Sequence, residues 1–236
     1  SKEKKILDRL RELLKESRDL NRRVKETLKK LLEDSKRLLD EIRKRLKELL
    51  DELEKENKVP EELIRTVREA LERLLRRLER HTDELRKALE DLLRRLEEHN
   101  DELEDALREI LDVKRRRDED ERELRRKIEE LKRRSDKLRR ELKEEIKRLR
   151  DRSRKVKEEI ERELKKLKEE IDRVLRETRN DEAVKRLKEV LDEVAELVKT
   201  LLEVNRKILE DVDKLIEEVL KLNDDILREV VKLAED

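Results

Sequence analysis

The sequence predicts an all-α fold, an antiparallel up-down-up-down four-helix bundle of long, straight helices. The chain has 236 residues, no glycine and a single proline, so it contains very little loop. Leu, Ile and Val recur at i, i+3, i+4 and i+7 along nearly the whole length, which is the pattern of amphipathic helices. The sequence also repeats every eighteen residues, so that 10–27 aligns with 28–45 and 78–95 with 96–113. Because eighteen residues make five turns at 3.6 per turn, the apolar stripe runs straight along an unsupercoiled helix.

Three breaks in this stripe define four helices of about 55 residues, each about 80 Å long, in a single domain spanning 1–236. The predicted helices cover 2–57, 60–116, 118–178 and 181–235.

The first break contains Asn57, which suits the left-handed position after a helix, and Pro60, which suits the first helical position. Glu61 and Glu62 then favour the positive end of the second helix. These residues predict a turn between the first and second helices.

The second break is a reversal of charge, with four basic residues at 114–117 followed by four acidic residues at 118–121. Cations favour a helix C-terminus and anions favour the next N-terminus, so a turn is predicted there. No glycine or proline forbids a continuous helix through 114–123, and a domain-swapped dimer therefore stays open as an alternative. At the third break, Asn180 or Asp181 is the predicted N-cap of the fourth helix.

Small polar residues on the apolar stripes independently indicate the same three turns. On each helix, these residues recur eighteen positions apart. In an antiparallel pair, residues at one height are equidistant from the turn. Ser17 with Asn100, and Ser35 with Thr82, are symmetric about residues 58–59. The corresponding pairs on the second and third helices, and on the third and fourth, are symmetric about residues 117–118 and about residue 179.

The stripes therefore place two buried polar layers about 27 Å apart in a core of Leu, Ile, Val and Ala. Layer 1 comprises Ser17, His99, Asn100, Ser135 and Asn223. Layer 2 comprises Ser35, His81, Thr82, Ser153 and Asn205. An unpaired buried hydroxyl or amide costs about 1–3 kcal/mol, so we expect the members of a layer to hydrogen-bond one another and to disfavour register slips.

The two histidines are interpreted as members of these layers and not as metal ligands or general bases. They lie eighteen residues apart, and Leu78 and Leu96 occupy the positions where a Glu-x-x-His metal motif needs glutamate. We predict no catalytic, cofactor-binding or metal-binding residues, no cofactor and no enzymatic activity. If both imidazoles are buried and neutral, acid should protonate them and loosen the bundle.

Composition argues against several classes of partner. Lys plus Arg is 70 and Asp plus Glu is 69, giving a net charge of +1, and the chain has no aromatic residue. We expect no nucleic-acid, membrane or small-molecule partner, because phosphate binding needs uncancelled cations, usually with stacking groups. The chain has no apolar run long enough for a membrane span and no targeting signal. We expect a soluble product of recombinant cytoplasmic expression, and its first residue, Ser1, suggests a cleaved tag.

The fourth helix carries a wider apolar stripe than the third, which has charge nearly everywhere outside a narrow line. Two interpretations stay open: the fourth helix is the most enclosed member of the bundle, or part of its face binds a partner.

Uninterrupted Leu-Glu-Lys-Arg helices, the eighteen-residue repeat, glycine-free turns and the two polar layers together resemble de novo designed helical bundles with buried hydrogen-bond networks. The resemblance covers all 236 residues. The chain is similar in particular to designed hairpin heterodimers, with two hairpins, 1–117 and 118–236, joined into one chain. This resemblance implies a monomeric structural scaffold with no natural biochemical function. The alternative is a designed interaction or switch module that exchanges a helix or hairpin with a partner chain, or a homo-oligomeric assembly component.

Overall fold

The chain forms four α-helices, as predicted. The structure is a computed structural model that describes residues 1–55, 59–115, 121–179 and 181–235. The helices are α1 (Lys2–Lys55), α2 (Glu61–Arg115), α3 (Glu121–Thr178) and α4 (Asp181–Glu235). No β-strand occurs among these described residues.

Contacts between helices establish the antiparallel order. Between α1 and α4, Arg45 contacts Glu193 and Arg186 contacts Glu52, so residue numbers rise on one helix as they fall on the other. The same reversal relates α2 to α3, where Arg95 contacts Glu141 and Arg134 contacts Glu102. It also relates α3 to α4, through the Lys168–Asp192 and Lys188–Asp172 ion pairs. The predicted up-down-up-down four-helix bundle is confirmed.

The chain divides into two compact units, and each contains segments of all four helices. Unit 1 comprises Ser1–Lys29, Lys87–Lys147 and Glu210–Asp236. Unit 2 comprises Lys30–Arg86 and Arg148–Leu209. All members of layer 1 belong to unit 1, and all members of layer 2 belong to unit 2. That residues 1–236 form a single domain stays a prediction.

The hydrophobic cluster in the core of unit 2 consists of aliphatic side chains. Ile42, Leu71, Ile160 and Leu191, one from each helix, are almost completely buried in it. Burying a side chain of this size contributes about 1.5–3 kcal/mol, so the apolar stripes supply most of the driving force for helix packing.

Unit 1 has the same kind of core. Leu10, Ile110, Ile128 and Val230 come from the four helices and are all buried in one cluster. A smaller group, formed by Leu103, Leu131 and Leu227, lies next along the same helices. The periodic stripes therefore face inward in both units.

The wide stripe of α4 is mostly enclosed. Val190, Leu191, Val194 and Val198 are at most 4% exposed, and Leu197 is partly buried against the core of unit 2. No large hydrophobic side chain is exposed anywhere in the described part of the chain. This favours enclosure of α4 over an apolar partner surface. The described helices also include none that is long and apolar enough to cross a membrane.

The helix ends show how the chain turns without glycine. The carbonyl of Pro60 accepts hydrogen bonds from the backbone N–H groups of Leu63 (3.1 Å) and Ile64 (3.2 Å), so Pro60 directly precedes the first residue of α2. Arg179, after α3, has a left-handed backbone with φ of 54°. The predicted C′ residue Asn57, residues 116–120 of the charge reversal and Asn180 lie outside the described residues. Asp181, the alternative N-cap, is instead the first residue of α4.

Candidate functional site

Layer 2 joins the helices in pairs through side-chain hydrogen bonds. The Ser35 hydroxyl donates to Oδ1 of Asn205 at 2.7 Å, which links α1 to α4. A 3.0 Å hydrogen bond between His81 Nε2 and Ser153 Oγ links α2 to α3. The Thr82 hydroxyl, although buried, has no hydrogen-bond partner among the described residues. Layer 2 therefore consists of two linked pairs of helices rather than one continuous network.

Layer 1 repeats only one of these two links. His99 Nε2 and Ser135 Oγ are 2.8 Å apart and join α2 to α3, as their counterparts do in layer 2. Ser17, Asn100 and Asn223 are at most 7% exposed. The hydroxyl of Ser17 and both amide atoms of Asn100 and Asn223 have no hydrogen-bond partner in the described protein. Protein groups alone thus satisfy layer 1 less well than the sequence led us to expect.

One buried polar residue escaped the sequence analysis. Asn21 is 7% exposed, and its buried Oδ1 has no partner among the described residues. It lies one turn after Ser17 on the same stripe of α1, and this spacing was the signal that could have identified it. It was missed because its counterpart eighteen residues later is Leu39, so the repeat that defined the layers passes over it.

Burial governs the electrostatics of both histidines. Desolvation lowers the pKa of His81 below its usual value, while nearby Glu84 opposes this shift and Arg152 adds to it. Desolvation likewise lowers the pKa of His99. Glu102 opposes that shift and Arg134 adds to it. Burial therefore favours the neutral form of both imidazoles, and each ring shares its Nε2 with a serine hydroxyl.

A serine hydroxyl beside a histidine is also the beginning of a hydrolytic triad, so the third member matters. In such a triad an acid accepts a hydrogen bond from the other imidazole nitrogen and fixes the tautomer. His81 Nδ1 is buried without a partner in the described chain, and His99 Nδ1 is 3.8 Å from Glu102, beyond hydrogen-bond distance. Neither pair has the orienting acid, and both histidines are at most 4% exposed.

The described residues contain no group of three or more His, Asp or Glu side chains that could hold a metal ion. A surface groove between α1 and α4 in unit 2 has a volume of about 850 Å³. Its walls are largely charged, and Arg45 there bonds Glu48 and Glu193. The groove is a solvated seam between helices, in which Arg45 pairs with two glutamates and Asp192 pairs with Lys168.

No protein-family model matches the chain, and no curated protein matches it. Among solved structures, it is similar to a "Computationally designed three helix bundle" with 16% sequence identity and a TM-score of 0.45. That match covers 98% of this chain and 90% of the other.

Proposed function

We propose that this chain is a designed, monomeric structural scaffold with no natural biochemical function, and that layers 1 and 2 specify which helices pair and in which register. The observation that carries the proposal is the recurrence of a histidine–serine hydrogen bond between α2 and α3 in both units: His99–Ser135, which is buried, and His81–Ser153, which is partly buried. Aliphatic layers of similar shape would tolerate a shifted register, whereas a shift would leave these polar groups buried without partners.

The α1–α4 contact supports the same role. In layer 2 the Ser35–Asn205 hydrogen bond joins helices that are far apart in sequence, so it discriminates between arrangements that the turns alone would allow. Further along the same two helices, the ion pairs of Arg45 with Glu193 and of Arg186 with Glu52 favour the same register. Exposed pairs of this kind contribute little stability each, and their role is therefore mainly to orient.

Burial of the apolar stripes argues against the alternative of an interaction or switch module. A module that exchanges a helix should present apolar surface to its partner. The described chain exposes no large hydrophobic side chain, and the wide stripe of α4 lies in the cores. A closed scaffold accounts for this burial without a partner.

The test removes polarity from the layers while keeping them filled. In the full chain, we would replace both partners of each hydrogen bond, combining His81→Leu with Ser153→Ala, His99→Leu with Ser135→Ala, and Asn205→Leu with Ser35→Ala. We expect the variant to stay helical and to need at least as much denaturant to unfold, because apolar replacements of buried polar groups are often stabilising. We also expect it to adopt more than one helix pairing, which would give mixed oligomers in light scattering and duplicated backbone signals in NMR spectra.

A matched control changes four buried leucines and leaves the polar layers intact. Leu71, Leu85, Leu142 and Leu201 are at most 1% exposed, and replacing each by Ile conserves volume. The control should stay a single monomeric species with one set of signals. If the apolar-layer variant behaves in the same way, the layers do not specify pairing and the proposal fails.

A further inference from the structure

Six buried polar atoms in unit 1 have no hydrogen-bond partner among the described residues. They are Ser17 Oγ, Asn21 Oδ1, and both Oδ1 and Nδ2 of Asn100 and Asn223. All four side chains are at least nine-tenths buried. Buried polar groups in folded proteins are nearly always satisfied by protein or by ordered water, so a group of six such atoms needs an explanation.

Contacts around these side chains place them at one height in unit 1. Arg18, which lies between Ser17 and Asn21 on α1, bonds Glu104 of α2 at 2.5 Å, and Glu104 is one turn beyond Asn100. These contacts bring the unpaired groups of α1 close to the unpaired amide of α2.

Two further contacts place α3 and α4 at the same height. His99, the neighbour of Asn100, bonds Ser135 of α3. One turn after Ser135, Arg139 forms an ion pair with Asp224, the neighbour of Asn223 on α4. The unpaired atoms of α1, α2 and α4 therefore belong to the same cross-section of unit 1.

The eighteen-residue repeat provides an internal comparison with layer 2. Ser35 and Asn205 hydrogen-bond there, but their counterparts Ser17 and Asn223 do not bond each other. The two cross-sections also differ in composition, because Asn21 and Asn100 stand where layer 2 has Leu39 and Thr82. The cross-section with two more amides is thus the one in which the direct serine–asparagine bond is not formed.

We propose that layer 1 is a binding site for internal water, held by Ser17, Asn21, Asn100 and Asn223. The unpaired set offers donors, the amide nitrogens of Asn100 and Asn223, together with hydroxyl and amide oxygens as acceptors. A water molecule can donate twice and accept twice, and it needs two to four polar partners of this mixed kind. All four side chains are neutral, so the chemistry favours a neutral ligand over an ion. This site goes beyond the scaffold role and would stand even if other residues specified helix pairing.

The first experiment locates the water in the full chain by NMR. Water held for longer than nanoseconds gives cross-peaks to nearby amide protons whose NOE and ROE have opposite signs. We expect such cross-peaks at the side-chain amide protons of Asn100 and Asn223. Relay through the exchanging Ser17 hydroxyl is checked by the second experiment, recorded on the oxygen nuclei of water, which hydroxyl proton exchange does not transfer. Contacts of these amides with protein protons alone would overturn the proposal.

The second experiment counts long-lived waters by magnetic relaxation dispersion of the solvent. The variant Asn21→Leu with Asn100→Thr gives layer 1 the composition of layer 2 and should hold at least one long-lived water fewer than the parent. The reciprocal variant, Leu39→Asn with Thr82→Asn, should gain at least one. This second variant keeps the test decisive if the first does not fold, and an unchanged count in the folded variant or variants contradicts the water site.

Discussion

At the scale of single residues, identical side chains eighteen positions apart have different surroundings. Ser35 donates a hydrogen bond to Asn205, while the Ser17 hydroxyl has no partner among the described residues. A net hydrogen bond contributes about 1 kcal/mol, whereas leaving a buried acceptor unpaired costs about 1–3 kcal/mol. The two serines should therefore differ measurably in their contributions to stability.

Ser35→Ala should lower the free energy of unfolding by about 1–3 kcal/mol, because Asn205 Oδ1 then stays buried without its donor. Ser17→Ala should cost less than about 1 kcal/mol, since it removes no direct protein hydrogen bond and alanine favours the helix. Urea unfolding followed by circular dichroism measures both. If both variants lose the same free energy of unfolding, the Ser35–Asn205 hydrogen bond adds no stability and this prediction is wrong.

The histidines predict a dependence of stability on pH. Burial lowers the pKa of His81, which faces Glu84 and Arg152, and of His99, which faces Glu102 and Arg134. Because the folded pKa lies below the unfolded value of about 6.5, stability is fully present above about pH 6.5 and falls as the pH drops towards the folded pKa. Each histidine contributes a slope of at most about 1.4 kcal/mol per pH unit.

Denaturant unfolding at about pH 7.5 and about pH 5 tests this. The parent should lose more stability between the two conditions than the His81→Asn, His99→Asn variant, which cannot take up these protons. If both proteins lose the same amount, other groups cause the acid sensitivity and the histidines are not responsible.

At the scale of elements, the helices follow from periodicity and the helix ends follow from local bonds. Ser1 caps α1, since its hydroxyl accepts a hydrogen bond from the backbone N–H of Lys4 at 3.3 Å. The end of α3 is less favourable. The backbone N–H of Arg179 bonds the carbonyl of Arg176, and Arg179 then adopts the left-handed conformation that glycine occupies most readily.

Arg179→Gly should raise the free energy of unfolding by about 0.5–1 kcal/mol, because it removes the steric cost of a left-handed Cβ. The matched control is Arg173→Gly in the exposed interior of α3, which should lower stability by about 1 kcal/mol. Thermal or urea unfolding distinguishes them. A loss of stability in Arg179→Gly would contradict the assigned backbone conformation.

The sequence predicted the four helices, because they depend on the 3.6-residue period alone. It missed the buried Asn21, and it placed Thr82 and Ser153, which are only partly buried, in the buried layers. It did not predict which buried atoms bond each other. That depends on neighbours across the helices: Ser17 and Ser35 lie on the same stripe, but Asn21 follows the first and Leu39 the second. It also did not predict the left-handed Arg179, because arginine carries no local preference for that conformation.

At the scale of the whole molecule, charge density and an enclosed core favour a monomer. Oppositely charged residues nearly cancel to a net charge of +1, and the described surface exposes no large hydrophobic side chain. We expect one species of 29.0 kDa in light scattering across a broad concentration range. A dye that fluoresces on apolar patches should stay dark. Twice that mass, or a bright dye, would instead favour exchange of hairpins between chains.

The eighteen-residue repeat also determines how the length of these helices can change. Inserting seven residues rotates everything beyond the insertion by about 20° in one direction, inserting eleven rotates it by about 20° in the other, and deletions have the opposite senses. Nine residues would turn the stripe to the opposite face. Only a block of eighteen leaves every later side chain pointing as before, so the chain can be lengthened or shortened in whole blocks, one in each helix, while its stripes stay aligned.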